Sequence, residues 1–199
     1  MTAGASHRLR SAQLWLHSSR AGSSWLPAVA LVVVLALDAV QFARPWPVPV
    51  VGLLDEPAHL LTAALLFAAW APGRARVLWP WVLAGSVVID LDHVPLYLWW
   101  NAVSADGGRP VTHSLATVLL LLGAATVVRR WRLPLLGLAI GVVLHLIRDL
   151  ASGPGVPLLE PVSDWGYRVP YPAYVVVLGT AAAVAVLRDR RRRCLTPWR

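Results

Sequence analysis

The sequence has no lysine, one cysteine, and charged residues at only 14% of its 199 positions. Average soluble domains carry about 25% charged residues, so this chain has too little polar surface to clothe a core in water. Its lone cysteine, Cys194, excludes both an intramolecular disulfide framework and a cysteine-cluster metal site. No internal repeat, soluble domain or low-complexity region is visible either. Apolar residues dominate instead, at 57% of the chain. The formal charge of +8 could suggest nucleic acid, but its placement decides otherwise.

Apolar segments bounded by Arg, Pro and Trp run over 26–43, 58–71, 77–100, 111–128, 133–152 and 171–187. Most approach the roughly 17 to 25 residues needed to cross the hydrocarbon layer, and 58–71 needs its flanks to do so. Trp25, Trp46, Trp79, Trp81, Trp99, Trp100 and Trp131 fall at the proposed ends, where amphipathic rings prefer the headgroup region. The expected fold is therefore all-α, a multi-pass membrane bundle of about six helices. A basic tail (1–25) precedes a single membrane domain (26–187), and an Arg-rich tail (188–199) follows it.

Fourteen of the eighteen Arg lie before the first segment, between the second and third, between the fourth and fifth, or after the sixth. The positive-inside rule places those stretches, and both termini, in the cytoplasm. The first segment resembles a signal peptide in having a basic leader and an apolar run. Asp38 stands where small residues would flank a cleavage point, so an uncleaved helix is the better reading.

The acids provide a separate test, since the topology was built without them. Nine of ten fall on the outer side under this topology, only Asp189 being cytoplasmic, and His59, His93, His113 and His145 fall there too. At about 1.5 Å rise per residue, Asp90 lies roughly 12 Å below Leu98 and His145 roughly 10 Å below Ser152. Ionisable groups so deep normally face a bundle interior or a wet cavity. His145 and Asp149 are i, i+4 on one helical face, and Asp90 and His93 are i, i+3; Asp92 points elsewhere unless the helix unwinds there. Histidines with carboxylates suit zinc or another borderline divalent cation, and leftover carboxylates can orient imidazoles or act as bases. Asp38 reads as structural, a partner for Arg148. Asp55 and Glu56 read as loop or helix-start residues, and Asp106, Glu160 and Asp164 as loop charges. Spacing alone does not separate metal chemistry from cation passage.

Four blocks carry a family likeness: Ala58-His59-Leu60-Leu61; Ile89-Asp90-Leu91-Asp92-His93; Arg109-Pro110-Val111-Thr112-His113-Ser114; and His145-Leu146-Ile147-Arg148-Asp149 with Gly155 to Pro161 after it. In these the chain resembles the YdjM-like membrane-bound metal-dependent hydrolases, also described as LexA-binding and inner-membrane-associated, over about 57–172. Two departures are Ile89, where the family usually has Pro, and Gly108, where it often has His. A looser likeness is to the zinc-dependent phospholipase C group and its related nucleases, which implies phosphoester hydrolysis.

The resulting expectation is a bacterial inner-membrane hydrolase with its site facing outward, acting through a metal-activated water on a phosphoester of a lipid or lipid-linked substrate. His59, Asp92, His93, His113, His145 and Asp149 are the expected metal ligands, zinc being the expected ion. Asp90 and Asp92 are the expected catalytic carboxylates, and Arg109 the expected contact to an anionic substrate. The alternative is a cation transporter or metal-handling protein using the same acids and histidines; it needs a polar path through inner helix halves that are almost without them. A third reading makes the Arg188–Arg193 run a partner-binding tail. Such runs more often meet anionic lipid headgroups, and no nucleic-acid recognition element is visible despite the LexA in the family's description.

Overall fold

The computed structural model describes residues 25–71, 73–93 and 109–194. Expectations for residues 1–24 and 195–199 and for Trp99, Trp100, Asp106 and Gly108 lie outside them, while residues 188–194, expected as tail, continue the last helix. Six α-helices form among the described residues: α1 Leu26–Phe42, α2 Val48–Trp70, α3 Trp79–Val88, α4 Leu115–Val127, α5 Arg132–Ser152 and α6 Tyr171–Cys194. Proline stands in the first turn of α1, α2 and α3, where its missing N–H costs nothing. Three stretches, Pro49–Trp70, Arg129–Ser152 and Tyr171–Arg191, are long and apolar enough to cross a membrane; α1 and α4 are shorter apolar helices. Large apolar side chains such as Leu53, Leu119, Leu120, Val127 and Val176 are exposed, as lipid-facing residues should be.

Three boundaries differ from the sequence expectation. The second helix starts at Val48 and runs through Pro57, so Asp55 and Glu56 lie inside it. Proline removes one hydrogen bond from a helix interior, but in a bilayer helix remains the conformation that satisfies the other backbone groups. The third stretch tightens after Val88 into a 3-10 turn over Ile89–Asp92, and its expected continuation past His93 lies outside the described residues. The fourth begins at Leu115, leaving residues 109–114 as an irregular approach to it.

α5 is the centre of the bundle, packing on α2, α3 and α4, and α2 also packs on α1 and α6. Small residues set the α3–α5 distance. A Cβ at Gly85 would strike the Leu138 backbone, and one at Gly141 would strike the Val82 carbonyl and the backbone of Gly85 and Ser86. Such close backbone approach is the usual helix contact where lipid removes the hydrophobic drive. The end of α1 meets the start of α6 through Phe42 and Tyr171, whose rings pack edge to face at 5.5 Å. At the other end, Arg188 of α6 donates to the Ala69 carbonyl near the end of α2, a favourable place for a cation. The loop after α5 is fixed by paired backbone bonds between Val156 and Tyr167 and by Leu115 N–H to the Leu158 carbonyl.

Candidate metal centre

Four segments converge beside α5: α2 brings Asp55, Glu56 and His59, the 3-10 turn brings Asp90, Asp92 and His93, the approach to α4 brings Arg109, Thr112 and His113, and α5 supplies His145, Arg148 and Asp149. All seven histidines and aspartates expected to cluster do so. Their donor atoms form two adjoining groups that could hold a metal ion, His59–His145–Asp149 and Asp90–Asp92–His93–His113. The first is fully buried; in the second only His113 is.

Asp149 is the junction of the inner group. Its Oδ2 lies 3.0 Å from His145 Nε2 and 3.8 Å from His113 Nε2, and its Oδ1 lies 3.4 Å from His59 Nε2. The rings of His59 and His145 stack at 3.8 Å between centroids. His145 is oriented from behind: its Nδ1 is 2.9 Å from the Ser86 carbonyl oxygen. A carbonyl only accepts, so Nδ1 donates to it, which turns Nε2 toward Asp149. Gly141, one turn earlier on the same face of α5, lets Ser86 come that close.

In the outer group, His113 is held between two carboxylates, with Nε2 3.1 Å from Asp90 Oδ1 and Nδ1 3.2 Å from Asp92 Oδ2. His93 Nδ1 lies 3.3 Å from Asp90 and 3.0 Å from Asp92. Asp92 therefore faces the site because the helix tightens there, and the Thr112 hydroxyl donates to it. Asp90 links the groups, its Oδ2 lying 3.6 Å from His145 Nδ1.

Arg109 donates from both terminal nitrogens to Asp149, at 2.5 and 2.9 Å, a bidentate pair inside the protein. Gly153 makes room for it, since a Cβ there would collide with the guanidinium. Arg148, with no exposed surface, pairs with Asp38 at 2.7 Å and Asp55 at 2.8 Å; Tyr171 donates to the other Asp38 oxygen at 2.8 Å. The expected Asp38–Arg148 pair is thus present, and Asp55 joins it.

Asp55, Glu56, Thr112 and Ser86 are the neighbours that sequence reasoning missed. Asp55 Oδ2 lies 3.4 Å from His59 Nε2, and Glu56 interacts with Asp90. The Asp55-x3-His59 spacing signalled the first once the helix is started early enough. Glu160 and Asp164 stay in the loop after α5, where burial, then Asp164, raises the Glu160 carboxyl above its ordinary value. Beside the outer group, a cavity of about 310 Å³ opens between α3, α4 and α5, lined by Val88, Ile89, Leu121, Leu138 and Val142 with Asp92 and Thr112.

No solved structure matches the chain. The inner membrane protein YdjM of Escherichia coli (strain K12) is 32% identical over 139 residues, covering 59% of this chain and 70% of that protein. The protein of the same name in Shigella flexneri matches to the same extent. Residues 54–198, which include every member of both groups, match the family described as YdjM inner membrane protein, and the chain belongs to that family.

Proposed function

We propose that the chain is a metal-dependent hydrolase of the bacterial inner membrane, acting at its outer face on a phosphoester carried by a lipid or lipid-linked substrate. The observation that carries this is a charge imbalance. Asp38, Asp55, Glu56, Asp90, Asp92 and Asp149 are connected within one intramembrane network that holds only two guanidiniums, Arg109 and Arg148, leaving a formal charge of −4 with neutral imidazoles. Two divalent cations, one per donor group, would cancel that formal charge while leaving the histidines unprotonated and free to ligate. Histidine and carboxylate donors fit zinc, and among the described residues Nε2 of His59 and of His145 are buried without a well-aligned hydrogen bond.

A bound divalent ion supplies Lewis acidity and a water that is deprotonated near neutral pH. The residues do the remaining work. Ser86 fixes the His145 tautomer, Thr112 and His113 position Asp92, and Asp90, between the groups, is placed to accept a proton from the attacking water. Arg109 holds Asp149 and is the guanidinium we assign to an anionic headgroup. The apolar cavity that ends at Asp92 and Thr112 is of ligand size and favours an amphiphile whose hydrocarbon part lies between α3, α4 and α5.

Metal analysis of detergent-purified protein, paired with a screen of phosphoester lipids, tests the reading. Wild type should carry a divalent metal and turn over at least one such lipid, while His113→Ala and His145→Ala lose both. Metal-free wild type, with both variants behaving as wild type in every assay, refutes it.

A further inference from the structure

The cavity beside the outer group has one polar end and an apolar remainder. Asp92 and Thr112 stand at the polar end, the Thr112 hydroxyl donating to the Asp92 carboxylate. Away from them the walls are Val88 of α3, Leu121 of α4, and Leu138 and Val142 of α5, with Gly85 farthest along α3. Gly85 lies against the Leu138 backbone, too close for an added Cβ, and that contact closes the cavity at this end. At about 1.5 Å per residue in α3 and about 2.0 Å in the 3-10 turn, Gly85 and Asp92 are roughly 12 Å apart along the axis. One leaflet of hydrocarbon is about 15 Å deep, half the bilayer core. The long side of the cavity is open. α3 and α4 each pack along α5 without an extended contact with each other, and Val88, a lining residue, is half exposed. Leu91 after α3 and Leu119 and Leu120 on α4 are exposed too, so among the described residues the opening is bordered by lipid-facing surface.

We infer that this groove seats one hydrocarbon chain of a lipid from the leaflet beside the donor groups, which enters sideways between α3 and α4 and sets its phosphoester at Asp92. The inference rests on the hydrolase reading above and names the source of the substrate, the bilayer itself and not the aqueous phase. Length, polarity and access all match that occupant. The groove is about as deep as one leaflet, so a chain keeps the direction it has in the membrane. Its single polar end adjoins the outer donor group, where a headgroup belongs, and the rest offers a chain only apolar walls. A second chain of the same lipid stays in the bilayer through the open side. A water-soluble phosphoester has no part that fills the groove.

The probe is phosphatidic acid with a diazirine in one acyl chain, a minor component of phosphatidylcholine nanodiscs that hold the full chain. After photolysis, labelled peptides are mapped by mass spectrometry. Peptides covering 85–92, 117–121 and 138–142 should exceed the exposed faces of α1 and α6, which report ordinary annular lipid, by about tenfold, the discrimination a well-filled hydrophobic pocket supplies. Leu121→Trp fills the groove from α4 and should abolish that excess. Leu120→Trp, its neighbour on the exposed face, should leave it unchanged. Groove labelling no higher than the annular level in wild type overturns the inference; it is the result that annular lipid alone, or a second copy of the chain seated in the groove, would give. An excess that survives in a folded Leu121→Trp protein overturns it as well, and the wild-type map decides alone if that variant does not fold. Divalent metal measured on the same samples keeps the two readings apart. Metal-loaded protein with an unlabelled groove refutes the lipid inference alone, and metal-free protein with a labelled groove refutes the metal reading alone.

Discussion

Arg148 offers the sharpest test of how the bundle is held together. Arg148→Met keeps the volume and removes a guanidinium that contacts Asp38 at 2.7 Å, Asp55 at 2.8 and 3.3 Å, and the Tyr174 hydroxyl at 3.3 Å. Among the described residues, Asp38, fully buried, would keep only the Tyr171 hydroxyl as a donor. Removing one partner of a buried pair costs about 3–5 kcal/mol, because the other charge is left uncompensated. The upper half of that range applies here, since two carboxylates lose their cation together. Neutralising Asp38 as well should recover part of the loss: in Asp38→Asn/Arg148→Met the penalties should fall short of additivity by about 1–3 kcal/mol, as for contacting residues in one network. Reversible unfolding by SDS in mixed micelles, followed by far-UV circular dichroism, measures all four corners of the cycle. An Arg148→Met protein within about 1 kcal/mol of wild type, or strictly additive penalties, would refute the view that this pair fastens α1 to α5.

Gly141→Ala should destabilise by about 1–3 kcal/mol, as overpacking does, because its Cβ meets the α3 backbone; Gly123→Ala, which meets nothing within 4 Å, should be neutral or slightly stabilising in the same unfolding assay. Zinc at a hundred times its dissociation constant should stabilise wild type by about 2.7 kcal/mol for each site filled, and His59→Ala/His145→Ala should lose the share of the inner site; equal stabilisation of both proteins would count against that site. Reporter fusions after Arg199 should read cytoplasmic, and replacing Arg190, Arg191, Arg192 and Arg193 with Gln should weaken that orientation, since the Arg bias sets it. A periplasmic reading in the parent would reverse the assigned faces.

Much of the centre was legible because lipid makes ionisable residues expensive. His145 and Asp149 share a face by helical spacing, and both reach the site. Asp38 and Arg148, opposite charges in separate apolar segments, find each other for the same reason. What remained hidden depended on boundaries and backbone. Pro57 reads as a helix start, which removes Asp55 from the face it shares with His59; in the structure the helix passes through it. Asp92 reaches the site through a 3-10 turn that the surrounding Ile, Leu and Val residues do not announce. The partner of His145 Nδ1 is the Ser86 backbone carbonyl, present at every residue and therefore without a signal in side-chain chemistry. Its position follows from glycines on two helices, which only the packed bundle brings together.

The same packing bears on the choice between a site and a path. Cation passage needs polar partners on both sides of the donor groups, because a stripped ion in hydrocarbon has nothing to replace its water. Between the His145 level and the Arg-rich end of the bundle, the space shared by α2, α3 and α5 holds Phe67, Ala71 and Val82, with Leu78, Trp79, Ile140 and Leu144 packed against them. The α3–α5 contact at the same depth is closed by Gly137 against Trp81 and Gly141 against Val82, too tight for an added methyl. Of the buried polar side chains that line no donor group, Thr62 is committed to the Tyr174 hydroxyl at 2.7 Å and Ser86 to the Leu83 carbonyl at 2.9 Å. The described interior therefore holds a polar chamber on one side and a dry, interlocked floor on the other. Beyond the histidines, among the described residues, this space holds hydrocarbon, which favours the metal site proposed above over cation passage.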